Sequence, residues 1–568
     1  MPSLLFRSTL ILVMVLAMLV FPQEGIDRVW VNLAPDKVRA SDTASLASAE
    51  AQLNRLGFRR DYVSRWLNAL SGRLPSNATA GVARLPFVRS VEPVGVYRYR
   101  GSRPLAAPLK KTAADPYYGN SREALDLMGV PRLFDEGRLP LDSAGKGVRI
   151  AVIDAGFRLD HAAFSHFSDS TLLGKRDYAA HITNPAIPFD TSLADDSLDF
   201  PGEEEHGTKV LSLIAAHLPG TLMGVAPFAQ FLLIKTERVR SLSGADYEGV
   251  AEEDAWIAAV EWAVDSVGVD IITTSLGYRY GFTDGRPDYP LSALTGDSVP
   301  ITRAANIAAS KGVVVFAAVG NEGRYGVSSL SVPSDGDSVM AVGATDPVGA
   351  IASFTSYGPT AKGRRKPDIS APGDNVYTAN LPAGVISGGG TSFATPMAAG
   401  ACALLLQAEP ALKGNPVAVR ARLSETAYIP SAVSTAMRAD SRYGAGIIHA
   451  YAAVTLRSVA EAYHNTNFWI ACQPASRGRA LFIMDMSDLS YGELTGARLT
   501  VSIYTLSGSL LRHITKKWPD LHAGRNALVW DTRNDAGKQV APGIYMVSTD
   551  YKAGGETKTF LRKLALIP

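Results

Sequence analysis

The sequence predicts an α/β fold: a mainly parallel sheet with helices on both faces, preceded by a small α+β unit and followed by a β-sandwich. Three observations carry this. First, apolar runs of strand length recur in "VRIAVID" (148–154), "FLLIKTE" (231–237), "VDIITTSLG" (269–277), "GVVVFAAVGN" (312–321) and "SVMAVGAT" (338–345). Second, helical patterns lie between or after them, in 206–218, 253–266, 301–312 and the stretch that follows "ISGGG" at 386–390. Continuous apolar strands alternating with helices imply a sheet buried on both faces. Third, beyond residue 470 the pattern becomes short β-branched and aromatic strands with turns such as "NDAG", which fits a sandwich.

The N-terminal segment carries Arg7 followed by an apolar run from Leu10 to Phe21. That is the length of a signal-peptide core and shorter than a bilayer span of about 20 residues. Residues 1–24 are therefore expected to direct export, with retention as an anchor left open. Residues 25–118 read as a separate unit and linker. Within it, "VSRWLNALSG" (63–72) has helical spacing, and "LPFVRSVEPVGVYRYR" (85–100) reads as strand. The Pro/Ala/Lys-rich 101–119 reads as an exposed, cleavable linker. The α/β segment spans 119–456, a linker 457–469, and the sandwich 470–568.

The 568 residues carry 56 basic and 54 acidic side chains, a formal charge of +2 that leaves no footprint for nucleic acid. The basic cluster "KGRRK" (362–366) is expected to be a solvated loop. Cys402 and Cys472 are too few for a disulfide framework or a zinc site; Cys402 reads as a buried thiol, and a single bridge between the two stays open.

The chemistry starts from "GGGTSFATPMAAG", where three glycines deliver Ser392 to the start of a helix. Asp154 closes a buried strand, His206 opens a helix, and Asn321 closes another strand. Each alone is ordinarily a cap or a turn residue. Together they fall at strand ends or helix starts, on the edge where an α/β sheet gathers reactive groups. A serine needs a base and the base an orienting group, and an amide at the same edge can serve an oxyanion.

These blocks, "VRIAVIDAG", "HGTKVLSLIAA", "AAVGNEG" and "GGGTSFATPMAAGACALLL", resemble the signature blocks of the subtilisin-like serine proteases (subtilases), in that family's order of Asp, His, Asn and Ser. "GVAPFAQFLLIKT", "VPSDGDSVMAVGA" and "YGAGIIHAYAAV" also match. The resemblance covers about 120–455. It implies a subtilisin-like fold and a serine endopeptidase acting on protein or peptide substrates through an acyl-enzyme. Ser392 would be the nucleophile, His206 the general base and then acid, Asp154 its orienting carboxylate, and Asn321 an oxyanion donor. Ser275, Leu276 and Gly277 would pair with an extended substrate. Ala318, Val319 and Gly320 would form one wall of the primary pocket; being small, they imply a roomy apolar pocket and cleavage after a hydrophobic residue. No cofactor is required for the chemistry; structural calcium is common in the family, with no ligands assigned here.

Residues 26–118 resemble a subtilase propeptide, implying a zymogen with its own inhibitor and cleavage within 100–120. The C-terminal segment resembles Ig-like domains that can sort secreted proteins to the cell-surface type nine secretion machinery of Gram-negative bacteria. A plain spacer or binding module is the alternative.

The chain departs from the family at Lys209, where a second histidine is usual. An acidic run, Asp195, Asp196, Asp199, Glu203, Glu204 and Glu205, precedes His206. It reads as a solvated loop, as a charge cluster that raises the imidazole pKa, or as calcium ligands. The rival from another class is a lapsed subtilase fold used as a surface binding protein; the presence of all four groups argues against it.

Overall fold

The computed structural model describes residues 25–100, 115, 117–179, 205–241, 247–280, 288–430, 440–456, 468–471, 480–485, 497–517, 525–553 and 556–566. The expected signal segment, the processing linker at 101–114, most of the acidic run and Cys472 lie outside the described residues.

The N-terminal unit is a four-stranded antiparallel sheet, built from β1 (Ile26–Leu33), β2 (Arg59–Ser64), β3 (Ala69–Pro75) and β4 (Val88–Pro93), in the order β2-β3-β1-β4. Helix α1 (Thr43–Arg55), capped by the Asp42 side chain, buries Leu46, Ala49 and Leu53 in its core. The helix expected at 63–72 is instead the β2–β3 hairpin. The cause is Asn68, held at φ 53°. Its amide accepts from Ala40 N–H at 2.7 Å and donates to the Leu33 and Val38 carbonyls at 3.1 Å each, which reverses the chain.

A fifth strand, β5 (Val96–Arg100), leaves this sheet. The next segment provides β6 (Arg149–Asp154), β7 (Leu172–Asp177), α2 (Glu205–Ala215), β8 (Gln230–Lys235), β9 (Glu237–Ser241), β10 (Tyr247–Glu252), α3 (Glu253–Trp262), β11 (Ile271–Thr274), α4 (Pro300–Ser310), β12 (Val314–Ala318), β13 (Met340–Thr345), β14 (Ile369–Pro372) and α5 (Thr391–Ala408). Seven of these strands form one parallel sheet in the order β14-β13-β12-β11-β6-β8-β7. It is the sheet expected from the apolar runs, and apart from the edge strand β7 its strands are buried almost throughout.

Helix α5 packs on β11, β12, β13 and β14 and on α2, and it is buried from Thr391 to Leu406. Full burial of each leucine at 404–406 stabilises by about 1.5–3 kcal/mol. Gly400 is required where α5 meets the chain at Val225, since a Cβ there would lie 2.6 Å from the Val225 Cβ. Although 18 residues long and apolar enough to cross a membrane, α5 is a core helix.

The basic loop at 362–366 differs from expectation at one end. Lys362 is exposed, but Lys366 is fully buried. Its ammonium donates to the Gly336 and Val339 carbonyls at 2.8 and 2.9 Å and to Asp368 Oδ2 at 2.8 Å. Three acceptors in the interior replace water, so the lysine ties two loops together. Cys402 is buried and unpaired, and burial pushes its thiol far up.

The N-terminal unit packs on α3 within the same compact body. Arg28 reaches Asp254 Oδ2 at 2.6 Å, Arg65 N–H reaches Glu261 Oε2 at 3.2 Å, and Trp66 Nε1 reaches Asp265 Oδ2 at 2.8 Å. The Ser64 hydroxyl also donates to Glu261. Trp30, Ala69 and Val94 join the core around Trp256 and Ile257. Beyond Val94 the chain runs antiparallel along β10, from Val96 opposite Glu252 to Arg100 opposite Glu248. Gly95 permits this turn-in: a Cβ would meet the Glu253 carboxyl at 2.6 Å, and its carbonyl accepts from Glu253 N–H.

Strands β15 (Phe468–Ala471), β16 (Ala480–Asp485), β17 (Arg498–Thr505), β18 (Leu510–Lys517), β19 (Arg525–Trp530), β20 (Gly543–Ala553) and β21 (Glu556–Leu566) form two antiparallel sheets, β15-β16-β19 and β18-β17-β20-β21. Phe482, Leu528 and Trp530 of one sheet share a core with Leu499, Val501, Ile503 and Val547 of the other. The alternation seen in the sequence is thus a sandwich.

Candidate active site

Asp154 is the last residue of β6 and is fully buried. Its Oδ1 accepts from the Ala155 N–H at 2.8 Å and from His206 Nδ1 at 2.7 Å. That bond places the imidazole proton on Nδ1 and leaves Nε2 as the basic nitrogen. His206 stands in the first turn of α2, and the next residue must be glycine, because a Cβ on Gly207 would lie 2.1 Å from the Gly156 carbonyl.

Burial pulls the imidazole pKa down, but the charge and hydrogen bond of Asp154, aided by Glu237, outweigh it and hold the pKa above the ordinary value. Lys209 opposes them slightly and is itself buried and paired with Glu205. Of the acidic run, only Glu205 is described, and it faces Lys209.

Ser392 is the second residue of α5, where first-turn N–H groups have no helical acceptor. Its Oγ donates to the Ser275 carbonyl at 3.2 Å and not to His206. Ser275 Oγ returns a bond to the Ser392 carbonyl at 2.7 Å. The reason is Pro396. It is the sixth residue of α5, past the first turn, and it cannot donate to the Ser392 carbonyl four residues earlier. Ser275 supplies the missing donor.

Asn321 follows β12 and Gly320. Its Oδ1 accepts from Thr391 N–H at 2.9 Å and Thr391 Oγ1 at 3.0 Å. The amide plane is thereby fixed, and Nδ2 lies 3.7 Å from where a Cβ of Gly390 would stand. One side chain both caps α5 and presents a donor beside Ser392. Gly389 is needed there, since a Cβ would sit 2.4 Å from Asp374 Oδ1.

Ser275, Leu276 and Gly277 continue from β11 past Ser392 and are nearly buried at the first two positions. Ala318 and Val319 are buried too, and Gly320 has φ 104°. The surroundings of Gly320 are not apolar: a Cβ there would meet Glu322 Oε2 at 2.5 Å, Ser331 Oγ at 2.7 Å and Ser356 Oγ at 3.0 Å. Burial raises the Glu322 carboxyl, opposed by hydrogen bonds that include Ser356. Sequence reasoning missed Glu322 and Glu237; the signal for both was a glutamate directly after a buried apolar run, in "AAVGNE" and "FLLIKTE". Among the described residues no three His, Cys, Asp or Glu side chains converge as a cation site.

A serine at a helix start, a carboxylate-held imidazole and an anchored amide at one sheet edge are the parts of a serine hydrolase site. A family model described as the subtilase family matches residues 145–446, more than half of the chain, and the chain belongs to that family. It is 32% identical to subtilisin BL of Lederbergia lenta over 311 residues, covering 54% of this chain and 91% of the relative. It is 28% identical to subtilisin NAT of Bacillus subtilis subsp. natto over 456 residues, covering 79% and 97%. The epidermin leader peptide processing serine protease of Staphylococcus aureus matches in structure with a TM-score of 0.56, 19% identity and coverage of 76% and 100%, a likeness of fold alone. The chain is a subtilisin-like serine endopeptidase.

Proposed function

We propose that the protein is an exported endopeptidase made as a zymogen, with Ser392, His206 and Asp154 as its catalytic triad. The observation that carries this is the 2.7 Å bond from His206 Nδ1 to Asp154, at the edge where Ser392 opens α5. In the reaction Ser392 Oγ turns from the Ser275 carbonyl to His206 Nε2 and gives up its proton as it attacks the peptide carbonyl. Asp154 stabilises the imidazolium. The oxyanion takes hydrogen bonds from Asn321 Nδ2 and the Ser392 N–H, supported by the α5 N-terminus. His206 then protonates the leaving amine, and water releases the acyl group from Ser392.

The N-terminal unit is the proposed inhibitor. Its packing on α3 and the pairing of β5 with β10 support this. The apolar run at 10–21 supports export. For the C-terminal sandwich we propose attachment to secretion machinery, tested by whether deleting 470–568 retains the enzyme inside the cell. The complete set of four groups favours activity over a lapsed binding fold. The deciding experiment compares wild type with Ser392→Ala for self-processing within 100–120 and for casein hydrolysis; equal behaviour defeats the proposal.

A further inference from the structure

Glu237 is a buried carboxyl that the chemistry above does not use. Lys235 pairs with Asp154 in the parallel register of β8 and β6, and the Thr236 N–H donates to the Asp154 carbonyl at 3.1 Å. Glu237 is the next residue, so the two strand ends bring a second carboxyl to the edge that holds Asp154. It is only 2% exposed. Its Oε2 is buried without a hydrogen-bond partner, and so is Asp154 Oδ2. An isolated carboxylate is expensive to bury.

The titratable groups that act on it are Asp154 from β6, His206 from α2 and Tyr278 from the segment after β11; Lys209, one turn along α2, acts on His206, and β10 pairs with Glu237 through Ala251. Glu253 of α3 stands behind Tyr278.

We propose that Glu237 is a positioning residue for the catalytic base, a second carboxyl that shares one proton with the His206 imidazole. Two forms hold that proton. In one, Glu237 is a neutral acid and His206 is free to accept from Ser392. In the other, the proton has moved to His206 and Glu237 is a carboxylate. Both have the same charge and atoms. Burial pushes the Glu237 carboxyl up to about 8; the Tyr278 hydroxyl works against this, Asp154 adds to it and His206 opposes it. The charge of Glu237 in turn raises His206. While the proton is shared, part of the enzyme carries an imidazolium, and the base is fully free only once the second proton has left. Activity therefore rises in two steps, the upper one near pH 8.

The proposal rests on the serine protease reading, and its test separates the two. Matured wild type, Glu237→Gln and Glu237→Leu are compared for kcat/KM on a small peptide substrate from pH 5 to 10. The His206 ring is titrated in parallel by NMR in full-length Ser392→Ala carrying the same substitutions, which needs no turnover. Expected are a two-step rise for wild type and, in both variants, a single step at lower pH with the imidazole titration shifted down alongside. An unchanged limb and an unchanged titration, with only kcat or Tm lowered, make Glu237 structural and overturn the proposal. A wild type inactive on all peptides defeats the protease reading, while the NMR titration still decides the role of Glu237.

Discussion

Ser275 and Ser392 hold each other by reciprocal hydrogen bonds, Ser275 Oγ to the Ser392 carbonyl at 2.7 Å and Ser392 Oγ to the Ser275 carbonyl at 3.2 Å. The first of these exists because Pro396 cannot serve that carbonyl. Ser275→Ala leaves a buried carbonyl unpaired and is expected to cost about 1–3 kcal/mol in stability, with a fall in kcat. Pro396→Ala restores a helical donor, so the double variant should recover part of the loss. Thermal melts of the two singles and the double, read as a cycle, check this.

Asn321 carries two duties that substitutions can separate. Asn321→Ala should lower kcat by about 10²–10³, the cost already known for this donor in subtilisins, with little change in KM. It should also lower Tm, because Thr391 loses its acceptor. Asn321→Asp keeps the acceptor and should retain Tm while losing kcat.

Glu237 links stability to pH. Its folded pKa is raised to about 8 from an ordinary 4.5. The folded chain therefore binds the proton more tightly, and stability is lost as pH climbs from about 4.5 to 8. Glu237→Gln removes that loss. Urea melts at pH 5 and pH 9 should show a smaller drop for the variant than for wild type.

The contact of Arg28 with Asp254 anchors the N-terminal unit. Arg28→Ala leaves the Asp254 carboxylate buried and should speed release of that unit after processing. Gel filtration of the matured protein would show earlier loss of the N-terminal fragment; unchanged retention would assign its hold to the apolar contacts of Trp30 and Val94.

We propose that Gly320 lines the primary pocket, where its surroundings bear on specificity. With Glu322 against it, a basic residue before the scissile bond gains a partner, contrary to the hydrophobic preference the small residues imply. Glu322→Gln should lower the ratio of cleavage after Lys or Arg to cleavage after Phe or Leu. Paired peptides differing at that position measure it.

The parallel sheet was legible because buried strands are written as unbroken apolar runs, and the four polar groups because each interrupts one of those patterns at its end. The hairpin at 63–72 was not, since Trp66 and Leu70 mimic a helical face and only Asn68, through bonds to Ala40, Leu33 and Val38, decides the turn. Lys366 was hidden for a similar reason: its acceptors, Gly336, Val339 and Asp368, include two carbonyls some thirty residues away that carry no mark in the sequence. Pro396 could be seen but not interpreted before the start of α5 was fixed at Thr391.

Because Ser392 rides on α5, whose flanks touch four strands of the sheet and helix α2, the nucleophile reaches its place only when the interior is complete. A half-assembled chain has no attacking group in position. Turnover in this protein is thus a readout of finished folding, and any substitution that loosens the interior should silence it before the chain visibly unravels.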